Sequence, residues 1–539
     1  MTGKELRIWG PPGTGKTSTL KNRITKAATE EYEPEEIIVT SFTKAAAVEL
    51  ASRDLPIPSE NVGTLHALCY RALGRSEIAE TKIKEWNEQT GDLYQLSGDG
   101  ADVDEAAYDW HSAAPGDAFL QAANYYRAKM VPLSIWNPDV AGFYAKWKAW
   151  KEATGYIDFT DMISLAYDTM DTAPGNPRVL FADEGQDFSV LELALIRKWG
   201  ARCDHYYIAG DDDQCLYGFK GASPESFLLP ELPANQSHVL GQSYRVPRVV
   251  QAFSQQWIQG VTLRAPKEYR PRDEEGRLAL TSASYKNPAA LLELVEESIA
   301  TPDQRERPGN RVMLLAACGY MLDPLKHLLR ANGIPYANPY RRKRGDWNPL
   351  YSARGTTMSK RLLAFLAKDH FWTYADLKAW TDIIKAEGII RRGGKKELEE
   401  TPKHLLSSEV TIDWVLNHLL FEDALTRALD GDIEWLMANL LKGKAEVMAY
   451  PYAIYRRWGI DGLKNEPKAV LGSIHSVKGG ESDRVIVFPD LSPNGLAEYQ
   501  SQGVRRDAVL RQFYVAWTRA RQELIVAQPS SPLSIEVMI

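Results

Sequence analysis

Residues 10–17 read GPPGTGKT, and no other stretch narrows the possible folds of this chain so far. The pattern G-x-x-x-x-G-K-[ST] follows a short apolar run at 6–9 and precedes a helical pattern beginning near Thr17, the context in which it has physical meaning. Gly10, Gly13 and Gly15 let backbone N–H groups curl around phosphate oxygens, and the helix N-terminus adds partial positive charge. Lys16 is then expected along the β- and γ-phosphates, with the Thr17 hydroxyl on Mg2+. A ligand-free Gly/Pro turn is the plain alternative, and the flanking strand and helix speak against it.

Such a loop needs a metal-holding acid on a neighbouring strand. Val179-Leu180-Phe181-Ala182 is a short apolar run that delivers Asp183 and Glu184 at its end. Asp183 is expected to bind Mg2+ through water, and Glu184 to orient and deprotonate an attacking water. A glutamate beside the metal aspartate favours hydrolysis over transfer to a small acceptor. An acidic loop after a buried strand is the bland reading of the pair taken alone.

At 539 residues the chain has material for about three or four domains. Lys plus Arg number 64 against 71 Asp plus Glu, a net −7, so any surface for nucleic acid must be local. Cys69, Cys203, Cys215 and Cys318 lack CxxC or Cys/His ligand spacing, which argues against a zinc site or a disulfide framework and for reduced thiols. The N-terminus runs directly into Leu6-Arg7-Ile8-Trp9 without an apolar signal region, and no run of 18 apolar residues occurs. A soluble cytoplasmic protein without a membrane partner is expected.

Strand-like runs alternate with helical patterns across 36–53, 61–73, 179–199 and 206–227, the signature of a parallel sheet with crossover helices. Between about 75 and 175 the pattern turns helical, with Trp110, Tyr125, Tyr126, Trp136, Tyr144, Trp147 and Trp150 recurring. Alternation resumes at 238–260, 277–300 and 311–333, gives way to a second mostly helical stretch near 340–465, and returns at 470–475 and 484–489. The basic clusters Arg341-Arg342-Lys343-Arg344 and Arg391-Arg392-Gly393-Gly394-Lys395-Lys396 either meet a phosphate backbone or form solvated loops.

Seven further segments occur in a definite order: VTSFTKAAAVEL (39–50), GTLHALC (63–69), ADEGQD (182–187), AGDDDQCLYGFKGA (209–222), QSYR (242–245), SIHSVKGGE (473–481) and FYVAWTRAR (513–521). Together with the P-loop they resemble the ordered motifs of UvrD/Rep-type helicases of superfamily one, over nearly the whole chain. The resemblance implies an α/β fold of two RecA-like P-loop parallel-sheet domains, each carrying a mainly helical insertion. The expected boundaries are 1–74 and 176–234 for the first domain, 75–175 for its insertion, 235–340 and 466–539 for the second, and 341–465 for its insertion.

The same resemblance implies site roles. ATP with Mg2+ is expected on Gly10, Pro11, Pro12, Gly13, Thr14, Gly15, Lys16, Thr17 and Ser18. Gln214 matches a glutamine that senses the γ-phosphate, Tyr244 an aromatic stacked on adenine, and Arg245 an arginine on the γ-phosphate. Arg519 matches a second arginine supplied across the cleft, and Glu481 a carboxylate near the ribose hydroxyl. Two guanidiniums reaching the transferred phosphoryl group only on closure would couple closure to hydrolysis. Phe42 and Phe219 match aromatics that stack on single-stranded bases, where a π-face grips any sequence; core packing is their alternative. Tyr217, Thr43, Thr64, His66, Lys220 and His475 are expected on the same surface, with a purely structural role equally open for the two histidines.

Within 156–163, Asp158 and Asp161 read as helix-capping or surface carboxylates. Two departures from the family pattern are visible. Only nine residues precede Gly10, so the usual upstream glutamine motif is not in its place and relaxed nucleotide preference is expected. Ala45 stands where a lysine is common.

The expected function is an ATP-dependent DNA helicase and single-stranded DNA translocase of 3′ to 5′ polarity. Single-stranded DNA and single/double-strand junctions would be its partners, with replication, repair or recombination proteins, in a monomer or weak oligomer. A P-loop ATPase switch that binds nucleic acid or a protein assembly without unwinding is the competing reading, with an RNA track and a nuclease hybrid behind it.

Overall fold

A computed structural model describes residues 3–42, 55–97, 114–300, 311–341, 347–351, 356–367 and 372–538. Among them stand two six-stranded parallel sheets with helices between the strands, the α/β architecture expected from the alternating pattern. The first sheet has the order β3-β2-β4-β5-β1-β6, where β1 is Lys4–Trp9, β2 Ile37–Ser41, β3 Val62–Thr64, β4 Val179–Asp183, β5 His205–Gly210 and β6 Ser237–Val239. All five pairings are parallel. The second sheet is built from β7 (Arg277–Thr281), β8 (Val312–Ala316), β9 (Tyr336–Ala337), β10 (Ala469–Ser473), β11 (Ser482–Val487) and β12 (Ala520–Ala527).

The chain divides into two compact units: Met1–Leu280 with Leu315–Gly319 and Ser473–Ile539, and Thr281–Leu314 with Tyr320–Gly472. The first unit holds the whole first sheet. β2 and β4 are buried at every position, because helices cover both faces and leave no polar side to alternate with. Hydrophobic clusters lie on the two faces, one around Leu68, Ile163, Leu195, Trp199 and Phe227, the other around Leu20, Ile24, Val39 and Phe181. The expected boundary at residue 235 falls just before β6, which pairs with β1 at the edge of this sheet. Within the same unit β11 and β12 pair in parallel.

The aromatic residues of 75–175 form the core of a helical layer. Trp86, Phe143, Trp147 and Trp150 cluster together, and Trp136 packs with Ala123 and Val140. Trp110 lies outside the described residues. One reading needs correcting here. Asp158 does cap the helix Phe159–Thr169, in a reciprocal box with Asp161, but it is no surface carboxylate. It is fully buried and paired with Arg127 at 2.8 Å and Lys151 at 2.5 Å, and it accepts from the indole of Trp147 at 2.9 Å. Nothing in local periodicity marks such a cluster, since its members come from three helices.

In the second unit β9 pairs with β10 in parallel, and the described residues between Met358 and Lys464 are mainly helical. Two of the four cations in its basic cluster are engaged within the fold, while Arg392 and Lys396 are exposed. Arg391 donates to the carbonyls of Leu416 and Leu420 and lies 4.9 Å from the Phe421 ring, and Lys395 donates to the Ile384 carbonyl. In the other cluster Arg341 lies 4.9 Å from the Trp347 ring, while residues 342–344 lie outside the described residues.

Candidate active site and nucleic-acid interface

The segments singled out in the first sheet sit at the carboxyl ends of its strands. The P-loop follows β1, Phe42 follows β2, Thr64 ends β3, Asp183 ends β4, and residues 211–214 follow β5. Parallel strands present their loops on one rim, where ligands of open α/β sheets bind.

Lys16 opens the helix Lys16–Lys26, capped by Gly15 in the left-handed conformation at φ 80°. Its Nζ donates to the Gly10 carbonyl at 2.6 Å, so the ammonium folds back over the loop that would cradle phosphate. Gly13 has φ +75°, and a Cβ there would stand 2.4 Å from the Cβ of Arg245. Only glycine allows both that conformation and that approach. The loop is held from the other side: the Tyr244 amide donates to the Gly13 carbonyl at 2.8 Å, and Ser243 Oγ and Tyr269 OH donate to the Pro12 carbonyl at 2.9 and 3.0 Å. Tyr244 itself is 70% exposed beside the loop, an open aromatic face.

Thr17 Oγ1 donates to Asp183 Oδ2 at 3.2 Å. Burial, reinforced by the neighbouring Glu184 carboxylate, pushes Asp183 up to about 7 against the opposing charge of Lys16. A hydroxyl and a buried carboxylate side by side at a helix N-terminus form a hard-oxygen donor pair that fits Mg2+. Glu184 is a non-glycine residue at φ 57°, an uncommon conformation that turns its side chain away from the strand direction. Burial would raise its pKa, but Lys478 first and Lys16 second outweigh that and hold it below its ordinary value.

Gln214 is fixed at both ends. Its Nε2 donates to Asp211 Oδ2 at 2.7 Å, and its Oε1 accepts from Arg519 Nη2 at 3.1 Å. Arg519 is buried and also donates to the carbonyls of Gly480 and Val515. Arg245 donates through Nε to Glu481 at 2.6 Å, and Arg521 pairs with the same carboxylate. Burial opposes but Arg245 and Arg521 prevail, bringing Glu481 down to about 2. The Glu481 carboxylate, expected near a ribose, is thus engaged by two guanidiniums.

Five residues expected on nucleic acid come together beside this site. The Phe42 ring lies 4.7 Å from Tyr217, Tyr217 lies 5.9 Å from Phe219, and Phe219 lies 5.7 Å from His475. Lys220 Nζ is 5.2 Å from the Tyr217 ring and 5.8 Å from Phe42. Phe42 and Phe219 are half-buried; Phe42 also packs edge-on against Phe188 in the core, so it combines the two readings open to it. Burial, with Lys478 and Lys220 beyond the opposing Leu216 backbone, lowers His475 to about 4, which makes it neutral at pH 7. Thr64 caps the helix Leu65–Ala72 and stands in register with Ser41, next to Phe42. His66 meets Glu192 at 3.5 Å and Phe159 at 6.3 Å. Thr43 lies outside the described residues.

Residues 1–232 match the family model described as the UvrD/REP helicase N-terminal domain. That stretch of the chain is a UvrD/REP helicase N-terminal domain. Among the relatives of this chain is the ATP-dependent DNA helicase PcrA of Leuconostoc citreum, 26% identical over 50% of this chain and 39% of the relative. Another is DNA helicase II of Escherichia coli, 27% identical over 44% of this chain and 36% of the relative. A third, a putative ATP-dependent DNA helicase YjcD of Bacillus subtilis, is 26% identical over 44% and 34%. The matched stretch is under two fifths of each relative's length. No helix among the described residues is long and apolar enough to cross a membrane.

One residue of this candidate site went unassigned in the sequence although it lies inside a quoted segment. Lys478 pairs with Asp187, donates to the Gln214 carbonyl at 2.8 Å, stands 3.9 Å from Glu184, and lies 5.5 Å from the Tyr217 ring. Its only signal is its place in SVKGGE; the partners that define it are more than 250 residues away.

Proposed function

We propose that this chain is an ATP-dependent DNA helicase that moves along single-stranded DNA, with 3′ to 5′ polarity. The observation that carries the reading is Lys478, which joins the Glu184 and Asp187 carboxylates to the aromatic row Phe42, Tyr217 and Phe219. A charge change at the phosphate end is felt by the same side chain that touches the stacking end. The relatives' names, which include ATP-dependent DNA helicases, support the choice of substrate and track.

ATP would lie over the P-loop with its adenine on Tyr244. Lys16 leaves the Gly10 carbonyl for the β- and γ-phosphates, and Arg245 exchanges Glu481 for the γ-phosphate, leaving Arg521 on that carboxylate. Glu184, ionised through Lys478 and Lys16, takes the proton of the attacking water. Arg519 and Gln214 face the charge that develops on the transferred group. Thr17 and Asp183 would hold Mg2+, which supplies charge neutralisation on the phosphate oxygens. Cleavage and phosphate loss return Arg245 to Glu481, while Arg519 keeps its protein partners throughout, and Lys478 relays the change to Tyr217. Alternating grip on bases converts the cycle into steps.

Unwinding of 3′-tailed and 5′-tailed duplexes, with streptavidin displacement from single strands, tests the reading. Opening of the 3′-tailed duplex alone is expected. Opening of the 5′-tailed duplex alone overturns the polarity, and ATPase activity stimulated by DNA without displacement or unwinding favours the switch reading.

A further inference from the structure

Immediately before Gln214 the chain places three consecutive buried carboxylates, Asp211, Asp212 and Asp213, with oxygen atoms within 4.8 Å of one another. Three like charges so close cannot all remain ionised in a buried setting without compensation. The compensation is a buried lysine. Lys267 Nζ lies 3.0 Å from Asp211 Oδ1 and 3.0 Å from Asp213 Oδ2 and pairs with Asp212 as well, with its side chain 2% exposed. The ammonium fills the position a cation would take among these oxygens. Arg264 adds a two-pronged pair to Asp213 at 3.0 and 2.7 Å, and the Ala265 amide donates to Asp212 at 2.8 Å.

We propose that Lys267 is a positioning residue for ATP hydrolysis: by holding Oδ1 of Asp211 it keeps Oδ2 on the Gln214 amide, and so aims the Gln214 oxygen at Arg519. The two oxygens of one carboxylate serve the two partners, Lys267 at 3.0 Å and Gln214 Nε2 at 2.7 Å. The amide can satisfy both neighbours in one orientation only, with NH2 toward Asp211 and oxygen toward the guanidinium of Arg519. Without the ammonium, repulsion within the triad pushes the carboxylates apart. Asp211, no longer tethered to Lys267 through Oδ1, can then swing its Oδ2 off the Gln214 amide, which lets Gln214 turn and point its NH2 at Arg519, donor against donor. Gln214 and Arg519 are then no longer set for the phosphoryl group.

The proposal rests on the reading of Gln214 as the group that meets the γ-phosphate, and a double-mutant cycle separates the two. Lys267→Met, Gln214→Ala and the double variant are compared in the full chain for steady-state kcat and KM of DNA-stimulated ATP hydrolysis and for melting temperature. Lys267→Met is expected to lower kcat about tenfold with KM for ATP within about twofold of the parent, the cost of one misdirected charge-assisted contact in the transition state. In the Gln214→Ala background the same substitution is expected to cost nothing further in kcat. A merely structural lysine would lower the melting temperature and act independently of Gln214. If Lys267→Met does not fold, the cycle is run with Lys267→Arg, which keeps the charge but whose planar fork cannot meet three carboxylates at once; a smaller loss that also vanishes without Gln214 is expected. Losses that multiply, while Gln214→Ala alone is impaired, overturn the role of Lys267. Parental kcat in Gln214→Ala overturns the reading of Gln214 and the proposal with it.

Discussion

Arg519 donates from Nη2 to the Oε1 of Gln214 across 3.1 Å, so a guanidinium from residue 519 and an amide from residue 214 share one contact just past the carboxyl end of β5. The guanidinium is buried and its other nitrogens are held by the Val515 and Gly480 carbonyls, which leaves its orientation set before any nucleotide arrives. A preset cation costs no reorganisation when charge develops. Arg519→Ala is therefore expected to lower kcat on the order of 10³-fold while binding of a fluorescent ATP analogue persists. Arg519→Lys should not restore turnover, because an ammonium cannot reach Gln214 and both carbonyls together; single-turnover hydrolysis checks both variants.

Glu184 stays ionised through Lys478 and Lys16 and is poised as a base. Glu184→Gln should bind ATP and lose turnover by roughly 10²–10⁴-fold, whereas Lys16→Ala should weaken nucleotide binding itself. Equal hydrolysis by Glu184→Gln and the parent would remove Glu184 from this role.

The aromatic row predicts a separation between Phe219 and Phe42. Phe219→Ala should weaken single-stranded DNA by about 5–100-fold, the worth of one base stack, with nucleotide affinity unchanged. Phe42→Ala should weaken DNA binding and also lower the melting temperature, since Phe42 packs on Phe188 and the core cluster. Fluorescence anisotropy on an oligonucleotide and thermal unfolding read the two effects apart.

His475 gives stability a pH dependence with a definite sign. Its folded pKa of about 4 lies below the ordinary value of 6.5, so between those values the unfolded chain binds more protons. The stabilisation is complete above about pH 6.5 and is lost as pH falls toward 4, by roughly 1–3 kcal/mol. Urea unfolding at pH 7.5 and 5.0 should show the loss, and His475→Asn should flatten it.

Lys151 and Arg127 together neutralise the buried Asp158, which Trp147 also contacts. Removing Lys151 leaves that carboxylate under-compensated in a dry setting, so Lys151→Ala should cost about 3–5 kcal/mol of stability. Denaturant unfolding measures it. ATP hydrolysis per folded molecule should be unaffected, as none of these residues touches the P-loop.

The P-loop, the acids Asp183 and Glu184, and the alternation of strands and helices were legible in the order of residues. Each depends on neighbours a few positions apart: glycine conformations, a helix start, an apolar run ending in carboxylates. The aromatic periodicity of 75–175 likewise marked a helical layer. Contacts between distant segments were not legible. Lys478 is an ordinary lysine until Asp187, Glu184, Gln214 and Tyr217 surround it, and Lys267 is one more surface charge until three aspartates enclose it. Asp158 had the spacing of a helix cap and was one, yet its burial with Arg127 and Lys151 comes from the packing of three helices. The amino-acid order by itself determined which local backbone shapes and charges were available. Only the tertiary structure decided which charges meet, because electrostatic pairing acts through space and burial, and both are set by how the elements pack.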